Sequence, residues 1–120
     1  MQLKIFTALI VGLPLMTSAI GQTIYVHSYA DASCGTWVKS EGDLGERSQY
    51  TSWLRGFVSG YNYGNPSNQV RIDRMPDTKT LHLFVDKYCR ENPLKPFVSA
   101  AFRLVEEIRE HPEIRRDSAR

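Results

Sequence analysis

No run of apolar residues in this sequence is long enough to cross a bilayer. The longest, Ile5 to Met16, is interrupted by Gly12 and Pro14, whereas a spanning helix needs about 20 residues. Neither sign of charge dominates. Fifteen Lys and Arg face thirteen Asp and Glu, a formal net charge of +2, which argues against nucleic acid as a partner. Cysteine is scarce: Cys34 and Cys89 are the only two, and they form no Cys-x-x-Cys pair. The three histidines, His27, His82 and His111, stand at no metal-ligand spacing. There is no Gly-x-Ser-x-Gly, no phosphate-binding loop and no dinucleotide fingerprint. The residues therefore predict no enzyme, no metal and no cofactor.

Residues 1–21 read as a secretory leader. Lys4 is a short positive region, Ile5 to Met16 is the apolar core, and Ala19-Ile20-Gly21 has small-x-small cleavage spacing. No cysteine follows that site closely, so a lipid anchor is not expected. An exported chain meets oxidising conditions, where an even pair of cysteines reads as a disulfide, Cys34–Cys89. Two free or metal-binding thiols are the alternative.

The remaining chain, 22–110, is the length of one small domain. Thr23-Ile24-Tyr25-Val26 is β-prone and suits an edge strand or an extended arm. From Ser33 onward the pattern is helical. Ser33 can cap a short helix with Cys34, Trp37 and Val38 on one face. Lys39 to Gly45 reads as a polar loop. Asp43 and Glu46 have capping-box spacing and open the longest helix, whose stripe is Tyr50, Trp53, Leu54, Phe57, Val58 and Tyr61. That explains their spacing more simply than paired catalytic carboxylates. Ser52, Gly56 and Gly60 form a small-residue stripe on the same helix. Interior glycine costs about 1 kcal/mol relative to alanine, so a close backbone approach is expected there.

Asn62 to Met75 is rich in turn formers and reads as a loop. Asp77 or Thr78 caps the next helix, where Leu81, Phe84, Val85 and Tyr88 recur at i, i+3, i+4 and i+7 and Cys89 extends the face. His82 sits beside that face as a boundary residue. Asn92-Pro93 ends it. A last helix begins near Pro96, with Val98, Ala101, Phe102, Val105 and Ile108 predicted inward and Arg103 able to pair with Glu106 or Glu107. His111-Pro112 ends that helix, and 111–120 is a charged tail expected to fray. The fold class is all-α: three main helices plus a short N-terminal one, stapled by one disulfide.

The aromatic stripe is the strongest candidate surface. Trp53, Leu54, Phe57 and Val58 read first as core, with Tyr50, Tyr61 and Tyr63 flanking them. Tyrosine suits interfaces because one end is apolar and the other wet. A domain this small has little protein with which to cover the whole stripe, so a homodimer or a partner is expected to complete the burial. The candidate partner-binding residues are Tyr50, Trp53, Phe57, Tyr61, Tyr63, Arg71 and Arg74.

Three segments in order resemble the HdeA/HdeB family of small periplasmic acid-stress chaperones: Ser33-Cys34-Gly35-Thr36-Trp37-Val38, Trp53-Leu54-Arg55-Gly56-Phe57-Val58-Ser59-Gly60-Tyr61, and Val85-Asp86-Lys87-Tyr88-Cys89-Arg90-Glu91-Asn92-Pro93. The resemblance spans about Ser33 to Ile108 and places both cysteines where the family has its disulfide. It implies a periplasmic dimer that dissociates in acid and holds unfolding clients. Composition is compatible with this, because protonating the carboxylates leaves a strongly positive, self-repelling chain. The chain departs from the family in Arg71 to Arg74, the helix after Pro96 and the basic tail. Lys87-Tyr88 through Pro93 and Ala100-Ala101-Phe102-Arg103-Leu104 are also similar to Tai-type immunity proteins, which bind and block a secreted toxin. That similarity implies a dedicated-partner inhibitor instead. Those proteins carry their cysteines elsewhere. An envelope accessory role is the third expectation.

Overall fold

A computed structural model describes residues 25–111. The leader read at 1–21, residues 23 and 24 of the β-prone patch, and 112–120 of the tail lie outside the described residues. Tyr25 and Val26, the rest of that patch, are exposed and belong to no strand.

Among the described residues four α-helices follow one another: α1 Cys34–Lys39, α2 Leu44–Gly64, α3 Thr78–Glu91 and α4 Phe97–Glu110. A 3-10 turn precedes α1 at Tyr29–Asp31 and another precedes α3 at Ile72–Arg74. Each of the first three helices starts where a side-chain oxygen satisfies an otherwise free amide. Ser33 Oγ accepts from the Thr36 N–H at 3.2 Å, Asp43 Oδ1 from Glu46 at 2.9 Å, and Asp77 Oδ1 from Lys79 and Thr80 at 2.9 and 3.1 Å. Two helices end alike. The side-chain amides of Asn65 and Asn92 donate back to the carbonyls of Tyr61 and Tyr88, at 2.8 and 2.9 Å.

The disulfide joins Cys34 at the start of α1 to Cys89 near the end of α3, with Cα atoms 4.6 Å apart and a sequence separation of 55. On a chain-entropy account a loop of that length stabilises by roughly 4 kcal/mol. The same corner is clipped by backbone. Cys34 and Gly35 N–H donate to the carbonyls of Lys95 and Pro93 at 2.8 and 2.9 Å, and Phe97 N–H donates to Ala32 at 2.8 Å. A Cβ on Gly35 would stand 3.3 Å from the Pro93 carbonyl oxygen. The close approach therefore occurs at Gly35. Gly56 and Gly60, for which the sequence predicts one, face open space.

The core is built on Trp37, Tyr50, Phe97, Leu54, Leu81 and Leu104, with the disulfide at one side. Two predicted faces are rotated. On α4 the buried positions are Phe97, Ala100, Ala101, Leu104, Val105 and Ile108, while Val98 is half-buried and Phe102 is exposed. The Phe97–Ala32 hydrogen bond sets the phase of α4, and both stripes satisfy helical periodicity equally well. On α2 the innermost positions are Tyr50, Leu54 and Val58, and Trp53 and Phe57 are only half-buried. The segment read as a loop from Asn62 is helical to Gly64 and then held tightly. Asn62 accepts from the Val70 N–H and donates to the Val70 carbonyl, both at 2.7 Å, which buries Val70.

Candidate functional site

Two features stand out, a ridge of aromatic rings and a charge buried beneath it. The ridge begins inside the core. Tyr29 lies against Tyr50, Tyr50 against Phe97, Phe97 against Trp53, Trp53 against Phe57, and Phe57 against Phe102, with centroids 4.4, 4.6, 5.7, 5.5 and 5.1 Å apart. The chain of rings thus runs from fully buried Tyr50 and Phe97 to Phe102, which is 45% exposed. Helical spacing on α2 puts Tyr50, Trp53 and Phe57 along one side. Phe102 meets them because α4 crosses with that face turned out.

Tyr50, predicted at the flank of the core, is at its centre and presents nothing to a partner in this fold. Burial, with a lesser contribution from Glu46, pushes its phenol up to about 12. Its hydroxyl has no hydrogen-bond partner among the described residues. Tyr61 is half-buried and its hydroxyl accepts from Arg109 at 3.3 Å, while Tyr63 stands in solvent. Arg71 and Arg74 belong to a second, charged surface. They line an open cleft of about 450 Å³ together with Arg109, Asn68, Glu106 and Glu110. Arg71 is committed to Asp73 at 2.6 Å. The predicted set is therefore split into an aromatic ridge and an arginine-lined cleft, with Tyr61 at the join.

The sequence reading missed the buried charge. Arg47 on α2 has a side chain only 7% exposed. Its Nη1 donates to Asp86 Oδ1 on α3 at 2.9 Å, its Nε donates to Ser40 Oγ at 2.9 Å, and its guanidinium carbon lies 3.7 Å from the centre of the Trp37 ring. Trp37 Nε1 donates to the same Asp86 oxygen at 2.8 Å. Beside them His82 Nε2 hydrogen-bonds Thr51 Oγ1 at 2.7 Å, and its ring meets the Trp37 edge at 5.3 Å. One carboxylate thus joins α1, α2 and α3. Burial, with the Arg47 charge next, holds the His82 imidazole below its usual range, against an opposing pull from Asp86. The signal was present in the pattern. Residues 47, 50, 54 and 58 share a helical stripe, and a charge on an otherwise apolar stripe calls for a partner.

Among the described residues no group of three or more His, Cys, Asp or Glu could hold a metal, and no helix is long and apolar enough to cross a membrane. No family model, curated protein or solved structure matches the chain.

Proposed function

We propose that this chain is an exported, non-catalytic binding protein that holds unfolding polypeptides on its aromatic rings when acid loosens the helices. The observation that carries the reading is the unbroken run of rings from the core to solvent. Opening the contact between α2 and α4 would extend the exposed end, Trp53, Phe57 and Phe102, inward to Phe97 and Tyr50. Large contiguous apolar surface of this kind is what unfolded chains bind.

The buried junction supplies a reason for acid to be the trigger. Acid neutralises carboxylates and charges imidazoles. At the junction a charged His82 imidazole would stand beside the buried Arg47 guanidinium, and a like charge added next to a buried one opposes the folded state. Periplasmic location, a neutral-pH dimer and client holding are the expectations that the HdeA/HdeB resemblance adds.

The test is light scattering of an acid-labile client through a shift to strong acid and back. Suppressed aggregation at near-equal molar ratio is the expected result. The suppression should weaken in the double variant Phe57→Ser, Phe102→Ser. A protein that stays folded in acid and leaves aggregation unchanged would refute the holding function.

One observation favours a second reading, a dedicated-partner inhibitor of the immunity type. Arg71, Arg74 and Arg109 gather at one cleft, with Tyr61 bonded to Arg109. With Glu106 and Glu110 on the same cleft, that is a fixed, mixed-charge patch suited to a partner surface of complementary charge pattern.

A further inference from the structure

We infer that a small tetrahedral oxyanion, of the phosphate class, binds in the cleft between α2 and the start of α3. The cleft holds about 250 Å³. Its chemistry is one-sided. Arg47, Arg55 and His82 line it with the hydroxyls of Ser48, Thr51, Ser52 and Thr78, and no Asp or Glu lines it. Arginine with a ring of hydroxyls is the donor set that recognises phosphate oxygens.

The carboxylates of α3 beside the cleft, Asp86 and Asp77, are already engaged. Asp86 accepts from Arg47 Nη1 and Trp37 Nε1. Asp77 caps α3 and accepts from Lys79, Thr80 N–H and the Thr80 hydroxyl. Arg55 is committed only loosely, its Nη2 standing 3.5 Å from Thr78 Oγ1 at the mouth of the cleft.

A second observation concerns Arg47, which lines the cleft although it is buried. The Arg47 side chain is 93% buried by the complement of its 7% exposure, and its Nη2 has no hydrogen-bond partner among the described residues. A buried guanidinium donor left unspent costs free energy unless something accepts from it. An anion in the cleft supplies a counter-charge for the second cation, Arg55; Nη2 is closed off from solvent, so it donates to the anion only when the Arg47 side chain shifts toward the cleft. Four oxygens also match donors that converge from two helices better than a planar carboxylate does.

Binding should be linked to His82. Arg47 faces it from α2 and Asp86 from its own helix, Arg55 lines the same cleft, and α1 offers the uncharged Trp37. An anion offsets the two arginines, so the imidazole should protonate more readily when the site is filled, and affinity should rise as His82 charges. The inference stands whether or not the chain holds clients, because its test reads binding and not aggregation.

The experiment is an NMR titration of the folded, oxidised protein with inorganic phosphate at fixed ionic strength, with chloride as the reference and glycerol phosphate as a second arm. Expected are a saturable shift of the His82 ring signals and a higher His82 pKa in phosphate than in chloride. Arg55→Gln, on the exposed rim, should still fold and should weaken binding at least tenfold. Tighter binding of glycerol phosphate points to a phosphomonoester ligand and tighter binding of phosphate to the free ion; both support the site. A His82 response equal in chloride and phosphate, or undiminished by Arg55→Gln, overturns it.

Discussion

Arg47 brings a full positive charge into the same stripe that buries Tyr50, Leu54 and Val58. Its position is tolerated because Asp86, Ser40 and the Trp37 ring each meet one part of the guanidinium. Removing one partner of such a pair is far worse than never having built it. Asp86→Asn should therefore cost about 3 kcal/mol in urea unfolding at neutral pH, and it should also shift the Trp37 indole N–H signal. A loss no larger than that of an exposed pair such as Arg90–Glu41 would mean the junction is solvated. The glycines separate at the same scale. Gly56→Ala should stabilise by about 0.5–1 kcal/mol, since the helix interior favours alanine and the added methyl meets nothing. Gly35→Ala should not gain, because its methyl is pressed against the Pro93 carbonyl on a loop clipped by two further hydrogen bonds.

Among the elements, α1 is the dependent one. Six residues are too few to form a stable helix in water, so α1 persists through Trp37, the disulfide and the backbone clip to Pro93 and Lys95. Reduction, or Cys89→Ala, should lower stability by roughly 4 kcal/mol. Hydrogen exchange should rise first across 34–39, before α2 and α4 respond. Uniform loss of protection would show that α1 and the other helices unfold as one unit. α4 illustrates how an element can be right in extent and only partly right in phase: Ala101, Val105 and Ile108 are buried as predicted, whereas Val98 is half-buried and Phe102 exposed. Its span was legible from Pro96 and from the apolar period. Which of two overlapping stripes faces inward depends on the Phe97–Ala32 contact between segments far apart in sequence.

For the whole molecule, the groups held below their ordinary values, His82 and Asp77 among them, weaken the fold in acid. His82 is held below its ordinary value in the folded state, so its contribution is complete above about pH 6.5 and is lost as pH falls through the lower, folded value. Asp77 is held below 3.8, chiefly by its hydrogen bond from Thr80. Its contribution is present above that value and is lost as pH falls further. Stability should therefore decline in two stages, one below about pH 6.5 and one in strong acid. Binding of an apolar dye should rise with the decline and reverse on neutralisation. His82→Gln should remove the first stage and leave the second. A stability curve flat from pH 7.5 to 5 would show that His82 does not couple to opening.

The sequence by itself determined the helices and their caps, because these rest on local rules, and the cysteine pair, because only two cysteines are present. Periodicity, a side-chain oxygen two or three residues before a free amide, and a proline stop act within a few residues. Only the tertiary structure decided that Tyr50 is central, that Trp53 and Phe57 lie half in solvent beside Phe102, and that Gly56 has no neighbour. It also decided that Arg47, Asp86, His82 and Trp37 form one junction. Those outcomes depend on how helices distant in sequence approach one another. A change of one residue in helical phase exchanges buried for exposed without changing any local preference.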